Sequence, residues 1–303
     1  MSPPAAETPD RTSAVPGSRS RRVLAPYLLI LPGGLWLVLF FVIPMVTMLS
    51  LSLQQGDIVS GYVFTGHWQT YVDALVNYRT QLVRSLIYGA VATVILIVLA
   101  FPVAYWIAFY GGRRKPTYLF LLLLPFFVSF VLRTISWRYI LTDEGMLLGP
   151  LKNAGLLADG FHILGTPVAV IMGLVYNFLP FMVLPVYVAL ERIDPRVVEA
   201  ARDLYADPPT AFRKVILPLA LPGVFAGVLM TFVPASSDYV NSAVLGSSST
   251  TMIGQVIQSQ YLTSSNYPTA SALSFTLMAV LLIGVFAYAR ALGTEDVMKV
   301  AAR

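Results

Sequence analysis

Residues 199–204 have the sequence Glu-Ala-Ala-Arg-Asp-Leu and carry charge between two long apolar stretches. An Asp-Pro pair precedes this segment at Asp194 and another follows it at Asp207, and each pair favours the start of a helix. The residues between the two helices must then form a tight turn, and the paired alanines would let a rigid neighbour approach closely. This helix–turn–helix is suited to docking a soluble partner, although a loop that merely closes a helix bundle would use similar residues.

Residues suited to catalysis are scarce in this chain. It has no cysteine, and its two histidines, His67 and His162, are too isolated to suggest a metal site. No Gly-x-x-x-x-Gly-Lys-Ser/Thr sequence occurs, so the chain lacks the usual phosphate-binding loop for ATP. We therefore expect no catalytic residue, no metal site and no cofactor in this chain. The same observations disfavour a membrane-embedded enzyme.

Composition places the chain in a lipid bilayer. Apolar residues make up 57% and charged residues 12%, against roughly 25% charged residues in ordinary soluble domains, and the mean hydropathy is +0.73. A spanning helix needs about 20 apolar residues. Six stretches have this character: 24–50, 86–110, 117–140, 167–190, 218–236 and 270–292. The sequence therefore predicts an all-α integral membrane protein with six transmembrane helices and both termini on one side.

The distribution of positive charge predicts which side that is. Of the 20 lysine and arginine residues, 15 lie in the N-terminal tail, the second and fourth connections and the C-terminal end. Cytoplasmic loops carry an excess of these residues, so we expect both termini and the Glu199 segment to be cytoplasmic. The same distribution accounts for a pI of 9.4 without a nucleic-acid partner.

The layout predicts three regions. Residues 1–23 are rich in Pro, Ser, Ala and Arg and are expected to form a disordered cytoplasmic tail. Residues 24–292 form the six-helix domain, which includes a cytoplasmic loop at 191–217, and residues 293–303 form a cytoplasmic C-terminal tail. The expected outer loops are 54–85, 141–166 and 237–269. In the last loop, apolar residues at helical spacing predict a short amphipathic helix, either a structural lid or a gate.

The charged loop matches a known signature. It resembles the EAA loop of ABC importer permeases, the element that docks onto the ATPase subunit, and Leu217, Pro218, Pro222 and Gly223 extend the match. Tyr205 stands where that signature has Gly, and a left-handed backbone there would cost on the order of 1 kcal/mol. The coupling residues that the resemblance implies are Glu199, Ala200, Ala201, Arg202, Asp203, Leu204, Tyr205 and Phe212.

Other motifs extend the resemblance over nearly the whole chain. They are Pro125-Phe126-Phe127, Arg133-Thr134, Trp137-Arg138, Asp143-Glu144-Gly145, Leu-Pro-Phe-Met-Val-Leu-Pro at 179–185, Leu190-Glu191-Arg192, Pro-Ala-Ser-Ser-Asp-Tyr at 234–239 and Met252-Ile253-Gly254. These motifs resemble the B-type permeases of spermidine/putrescine importers, which usually have Gly where this chain has Ser237. The resemblance implies the ABC importer permease fold and a multi-pass protein of the bacterial inner membrane.

The resemblance also implies partners besides the lipid bilayer. They are two ABC ATPase subunits that bind ATP and Mg, a second permease of C type that completes a heterodimer, and an extracytoplasmic substrate-binding protein. ATP hydrolysis is then expected on the partner subunits and not on this chain.

A polyamine path should offer carboxylates and aromatic faces to ammonium groups. Asp238 is the leading candidate, because it lies about 30 Å along a helix from the start of the fifth span, by the rise of 1.5 Å per residue. Carboxylates near spanning segments are usually functional, and Tyr239 and Asn241 flank this one. The alternative is an aspartate that caps a helix end. Tyr187 and Phe181 on the fourth span could line the path or simply pack.

Two arginines of the third span would repel a polycation if they faced its path. We expect Arg133 and Arg138 to pair with Asp143 or Glu144, or to lie at the level of the lipid headgroups. An ABC permease for another solute, such as ferric iron or thiamine, is the main alternative function. A stand-alone secondary carrier is less favoured, because the centres of the six stretches hold almost no ionisable residues.

Overall fold

The computed structural model describes residues 30–291 except Asp159, and excludes the side chains of Arg202 and Ala291. The two predicted tails, 1–23 and 293–303, lie outside the described residues. The chain divides after Ser50 into two units. The first consists of the greater part of one helix, and the second holds the remaining elements.

Helices dominate both units. Helix α1 (Ile30–Ser52) contains a π-helical stretch at Val38–Val42. Strands β1 (Gln54–Asp57) and β2 (Gly61–Phe64) form an antiparallel hairpin in which Gln54 lies opposite Phe64. The later helices are α2 (Gln69–Tyr110), α3 (Lys115–Leu123), α4 (Phe130–Leu141), α5 (Leu148–Asn153), α6 (Pro167–Glu191), α7 (Pro195–Asp203), α8 (Pro208–Ser236), α9 (Val240–Leu245), α10 (Ile253–Leu262) and α11 (Tyr267–Ala291).

The spanning helices agree with the predicted stretches. Among the described residues, α1, α2, α6, α8 and α11 are long and apolar enough to cross a membrane. The third predicted span, 117–140, is broken: the helical segments Gly112–Phe127 and Phe130–Leu141 meet at an angle of 88°. A short 3₁₀ helix ends the first segment, and Val128 then adopts an extended conformation. The described residues thus contain five spanning helices, and they agree with the prediction of six when this bent pair is counted as one span.

Helix α2 differs most from its prediction. It was expected at 86–110 after an outer loop, but it begins at Gln69 and has 42 residues. At 1.5 Å per residue it is about 63 Å long, roughly twice the thickness of a hydrocarbon core. Asp73, Arg79 and Arg84 lower the hydropathy of the first part without interrupting the helix. Hydropathy identifies only the part of a helix that is apolar enough to lie in lipid. The more polar first part of α2 was therefore not predicted to be helical.

Helices α2, α6 and α8 form the centre of the second unit. The fully buried alanines Ala92, Ala100 and Ala104 of α2 leave room for close approach by the neighbouring helices. On α8, a Cβ added to Gly223 would lie 2.6 Å from the carbonyl oxygen of Pro185 on α6. Glycine is required there because the backbones of the two helices are in direct contact.

The amphipathic helix predicted in the last outer loop is α10. Its buried residues pack with α2 and α11 in one apolar cluster. The backbone N–H of Ile253 donates to Ser85 Oγ at 2.7 Å, and Arg84 donates to the carbonyl oxygen of Thr251 at 3.0 Å. These bonds attach α10 to the part of α2 that sequence analysis assigned to a loop.

Candidate functional site

The predicted helix–turn–helix is present as α7 followed by the start of α8. Asp194 caps α7, since its Oδ1 accepts a hydrogen bond from the backbone N–H of Arg196 at 2.9 Å. At the other end, the N–H of Ala206 donates to the carbonyl oxygen of Ala201 at 3.0 Å, and Tyr205 between them has a φ of 60°. This bond closes a Schellman motif in which Tyr205 occupies the left-handed position that Gly usually takes.

The side chains at this turn are unusually exposed for their type. Leu204 is 82% exposed and Tyr205 is 98% exposed. Glu199, Ala200 and Asp203 on α7 are also exposed, whereas Ala201 is half-buried. An apolar tip beside charged residues is the surface expected of an element that docks on another protein.

Phe212 differs from the other predicted coupling residues, because it points into the bundle. Its ring meets those of Phe101 and Tyr105 on α2 edge to face, with centroids 5.5 and 6.0 Å apart. Ala211 and Ile216, on either side of it, are buried. The structure therefore divides the predicted residues into an exposed surface around Leu204 and an aromatic anchor at Phe212.

An ion pair lies close to this loop. Lys115 Nζ, at the start of α3, is 2.8 and 3.0 Å from the two carboxylate oxygens of Glu191 at the end of α6. The contact between these two residues was not predicted from the sequence. Their contact shows that the second and fourth connections lie on the same side of the bundle.

The leading pathway candidate, Asp238, is a buried helix cap. It lies two residues beyond Ser236, the last residue of α8, and is 8% exposed. Its Oδ1 accepts a hydrogen bond from the backbone N–H of Asn241, in the first turn of α9, at 2.7 Å. Burial raises the pKa of the Asp238 carboxyl, and the hydrogen bonds it accepts from Asn241 and from the backbone of Ser242 oppose that rise. Within the described part of the chain, Asp238 forms no salt bridge.

Asn241 belongs to a buried polar network that joins three helices. Asn177 on α6 donates through Nδ2 to Asn241 Oδ1 at 3.1 Å and to Thr134 Oγ1 on α4 at 3.0 Å. Asn177 Oδ1 and Asn241 Nδ2 are buried without a partner among the described residues. Sequence analysis missed Asn177, although an amide in the middle of an apolar span is a signal that could have identified it.

Of the remaining pathway candidates, Tyr239 directly follows Asp238, whereas Phe181 and Tyr187 lie on α6. Tyr239 is half exposed and lines a cavity of about 640 Å³ between α8, α10 and α11. Phe181 lines a second cavity, of about 470 Å³, between α6 and α8. Tyr187 lies one turn before the end of α6, ten residues beyond Asn177, which is about 15 Å along the helix. The structure does not bring the five predicted residues into one site.

Of the two arrangements expected for Arg133, the pairing with Asp143 or Glu144 is not found among the described residues. Arg133 is 7% exposed, and its Nε and Nη1 atoms have no hydrogen-bond partner among the described residues. Its guanidinium lies over the ring of Phe126, 4.4 Å from the centroid. Asp143 instead pairs with Lys152 at 3.4 Å. Arg133 lies in the first turn of α4, whereas Asp143 and Glu144 lie just beyond its last residue, about 15 Å further along by the helical rise.

Comparison with known proteins decides the family. Residues 84–292 match the family described as the binding-protein-dependent transport system inner membrane component. The chain belongs to this family. Its members are transport permeases, so this protein is a membrane-spanning permease and not an enzyme. It is accordingly a multi-pass protein of the bacterial inner membrane.

Curated relatives align with most of the length of this permease. It is 36% identical over 257 residues to the spermidine/putrescine transport system permease protein PotB of Haemophilus influenzae, a match that covers 84% of this chain and 90% of the relative. PotB of Escherichia coli K12 is also 36% identical, over 259 residues, with 84% and 94% covered. The inner membrane ABC transporter permease protein YdcU of the same organism is 34% identical over 230 residues, with 72% of each chain covered.

Solved structures share the fold. A chain of a bacterial ABC transporter that imports the acidic polysaccharide alginate superposes with a TM-score of 0.68, 18% identity and coverage of 91% of this chain and 96% of that one. A chain of the MetNI methionine ABC transporter, in an inward-facing conformation, gives a TM-score of 0.51 with 20% identity, covering 73% and 94%. At this level of identity the likeness establishes the ABC importer permease fold alone.

Proposed function

We propose that this permease forms half of the translocation pathway of an ATP-driven polyamine importer. The observation that carries the proposal is the 36% identity to PotB of Haemophilus influenzae over 90% of that protein's length. The exposed aromatic Tyr239 beside a cavity and the buried carboxylate of Asp238 are chemically suited to a cationic alkyl chain. The cargo is therefore spermidine, putrescine or a closely related polyamine.

The energy for transport comes from ATP bound with Mg on partner ATPase subunits. The exposed tip at Leu204 and Tyr205, with α7 behind it, docks on these subunits from the cytoplasm. Phe212 connects this surface to α2, so a displacement of the tip moves the bundle. In this arrangement both termini are cytoplasmic, as the distribution of Lys and Arg indicates.

The remaining partners are a second permease and a substrate-binding protein outside the membrane. The second permease is of C type and makes the pathway a heterodimer. Exposed apolar residues on α11, such as Ile283 and Phe286, are available to lipid or to that subunit. The binding protein delivers cargo to the outer end of the bundle.

The docking role is tested by co-purification. The chain is expressed with its neighbouring genes and purified in mild detergent, with and without Ala201→Arg on the half-buried side of α7. We expect an ATPase to co-purify with the unchanged chain and to be lost from the Ala201→Arg variant. A chain that purifies alone in both forms and still transports solute in vesicles would be a carrier, which contradicts the proposal.

The cargo is tested with the reconstituted complex. Uptake of radiolabelled spermidine and putrescine is compared with uptake of ferric iron and thiamine in proteoliposomes that contain ATP. Polyamine uptake that requires ATP and the binding protein supports the proposal. Uptake of one of the other solutes instead would assign the chain to an ABC importer of different cargo.

A further inference from the structure

Arg133 is a buried cation that has no carboxylate partner among the residues the structure describes. It lies in the first turn of α4 and is only 7% exposed. A buried charge is costly unless other groups stabilise it. The groups that surround this guanidinium are aromatic rings, so the stabilisation comes from cation–π contacts.

Three rings form the cage around Arg133. The guanidinium carbon is 4.4 Å from the centroid of Phe126, 5.8 Å from that of Phe130 and 5.9 Å from that of Tyr176. Rings from both sides of the bend and from α6 thus meet one cation. A cage of this kind binds an alkylammonium as readily as a guanidinium, because the negative faces of the rings attract either cation.

The cage is close to the surface of the permease. Its three rings are half-buried. The ring centroid of Phe181 is 5.3 Å from that of Phe126. Phe181 is 41% exposed and lines the cavity between α6 and α8. An ammonium on a methylene chain could therefore reach the rings from this cavity if Arg133 swung aside. The arginine side chain is long and flexible, and no group in the described part of the chain forms a hydrogen bond with its Nε or Nη1.

We propose that Phe126, Phe130 and Tyr176 form an ammonium-binding subsite for the cargo, which Arg133 occupies as a tethered substitute in this conformation. The proposal rests on the polyamine cargo inferred above. Cargo and Arg133 compete for the same rings, so an empty transporter keeps the subsite filled and a loaded one displaces the arginine. The displaced positive charge then repels the second ammonium group of the same cargo and favours its onward movement.

The chain has no cysteine, which allows a test independent of transport. Arg133→Cys is introduced into the complete complex in proteoliposomes, with Ser136→Cys on the exposed side of the same helix as the matched control. Each thiol is labelled with a cationic aminoethyl and an anionic sulfonatoethyl methanethiosulfonate. We expect a preference for the cationic reagent at position 133 that exceeds the control by about threefold to tenfold, the range of one cation–π site.

Two further changes identify the rings as the cause of that preference. Adding Phe126→Leu to Arg133→Cys should reduce the preference towards the control value, and ethylammonium should protect position 133 but not position 136. Equal rates for the two reagents, or no effect of Phe126→Leu, would overturn the subsite. Loss of the second permease on purification of the Arg133 variant would also overturn it, because the arginine would then pair with a group on that subunit.

Transport kinetics test the competition itself. Arg133→Ala should lower the KM for spermidine by about threefold to tenfold, and Arg133→Lys, which retains a cation, should leave it near the original value. Phe126→Leu should raise the KM for spermidine more in the Arg133→Ala background than as a single substitution. In the single variant, spermidine and Arg133 both lose a contact with the same ring, so the competition between them changes less. An unchanged or higher KM in Arg133→Ala would contradict the competition.

The two proposals fail in different ways. If ethylammonium protects position 133 but the complex carries no polyamine, the subsite stands and the assigned cargo is wrong. If the complex carries polyamines but shows neither reagent preference nor protection, the cargo stands and the subsite is wrong.

Discussion

Lys115 Nζ contacts both carboxylate oxygens of Glu191, at 2.8 and 3.0 Å, and so joins the start of α3 to the end of α6. The next residues after Glu191 lead into α7, so this ion pair fixes the base from which α7 and the following turn project. The side chains are 24% and 40% exposed, and water therefore weakens their attraction. The ion pair therefore fixes the start of α3 relative to the end of α6 and contributes little to the stability of the permease.

The Lys115–Glu191 pair should make a small contribution to stability. We expect Lys115→Glu and Glu191→Lys each to destabilise the permease and the double exchange to restore it, with a coupling energy of about 0.2–1 kcal/mol, as for other solvent-accessible pairs. Thermal unfolding of the four forms in detergent, at low and high salt, measures this energy. A double exchange no better than the single variants would show that the contact is incidental.

Substitutions at the left-handed residue Tyr205 should affect the stability of the permease and its binding of the ATPase differently. Tyr205→Gly removes the steric conflict of a φ of 60°, so stability should stay the same or rise by about 1 kcal/mol. The exposed ring is lost, so retention of the ATPase should fall. Tyr205→Phe keeps both ring and strain and serves as the control. Full ATPase retention by the Gly variant would mean that Leu204 and α7 suffice for docking.

Phe212 should act as an anchor and not as part of the docking surface. Phe212→Leu removes two edge-to-face aromatic contacts, worth about 0.5–1.5 kcal/mol each, and should lower the melting temperature. The ATPase should still co-purify, while the amount of transport per ATP hydrolysed should decrease because the loop is less firmly joined to α2. A variant that loses the ATPase with unchanged stability would instead place Phe212 in the interface.

Close packing of α8 on α6 should make Gly223 intolerant of a side chain. A Cβ there would lie 2.5 Å from Ala189 Cβ and 2.6 Å from the Pro185 carbonyl oxygen, so the helices would have to separate. We expect Gly223→Ala to destabilise by about 1–3 kcal/mol, as overpacking usually does. Gly284→Ala on α11, where nothing lies within 4 Å of the added carbon, is the control and should be neutral. Equal melting temperatures for both variants would contradict the close contact.

The buried carboxyl of Asp238 should make stability depend on pH. Burial raises its pKa in the folded state, so the folded protein binds the proton more tightly than the unfolded chain. Stability should therefore fall as pH rises from the ordinary carboxyl pKa to the raised folded value, and stay lower above it. Melting temperatures of the original chain and of Asp238→Asn measure this difference.

Asp238→Asn should abolish that dependence and preserve the cap, because its side-chain oxygen can still accept from Asn241. Asp238→Ala should also abolish it and lose about 0.5–2 kcal/mol through the missing cap. If Asp238 attracts the cargo, polyamine uptake should decrease in the Asn variant at neutral pH. Unchanged uptake with a loss of pH dependence would leave Asp238 as a structural cap.

Local chemistry in the sequence was enough to predict the helix–turn–helix formed by α7 and the start of α8. The Asp-Pro pairs gave the starts of both helices, and Tyr205 at the signature glycine position is left-handed, as that position requires. Asp194 caps as predicted, whereas Asp207 makes no side-chain cap bond. These features depend on residues close in sequence, which explains why they could be anticipated without a fold.

Apolar length and charge distribution likewise determined the membrane character and the six spans. The burial partners of individual polar groups depended on tertiary structure. The Asn177 network joins side chains that are 43 and 64 positions apart in the sequence, and the cage around Arg133 takes one of its rings from Tyr176 on α6. Sequence patterns report how far each residue prefers lipid or water, but contacts between distant helices follow from how their surfaces fit together.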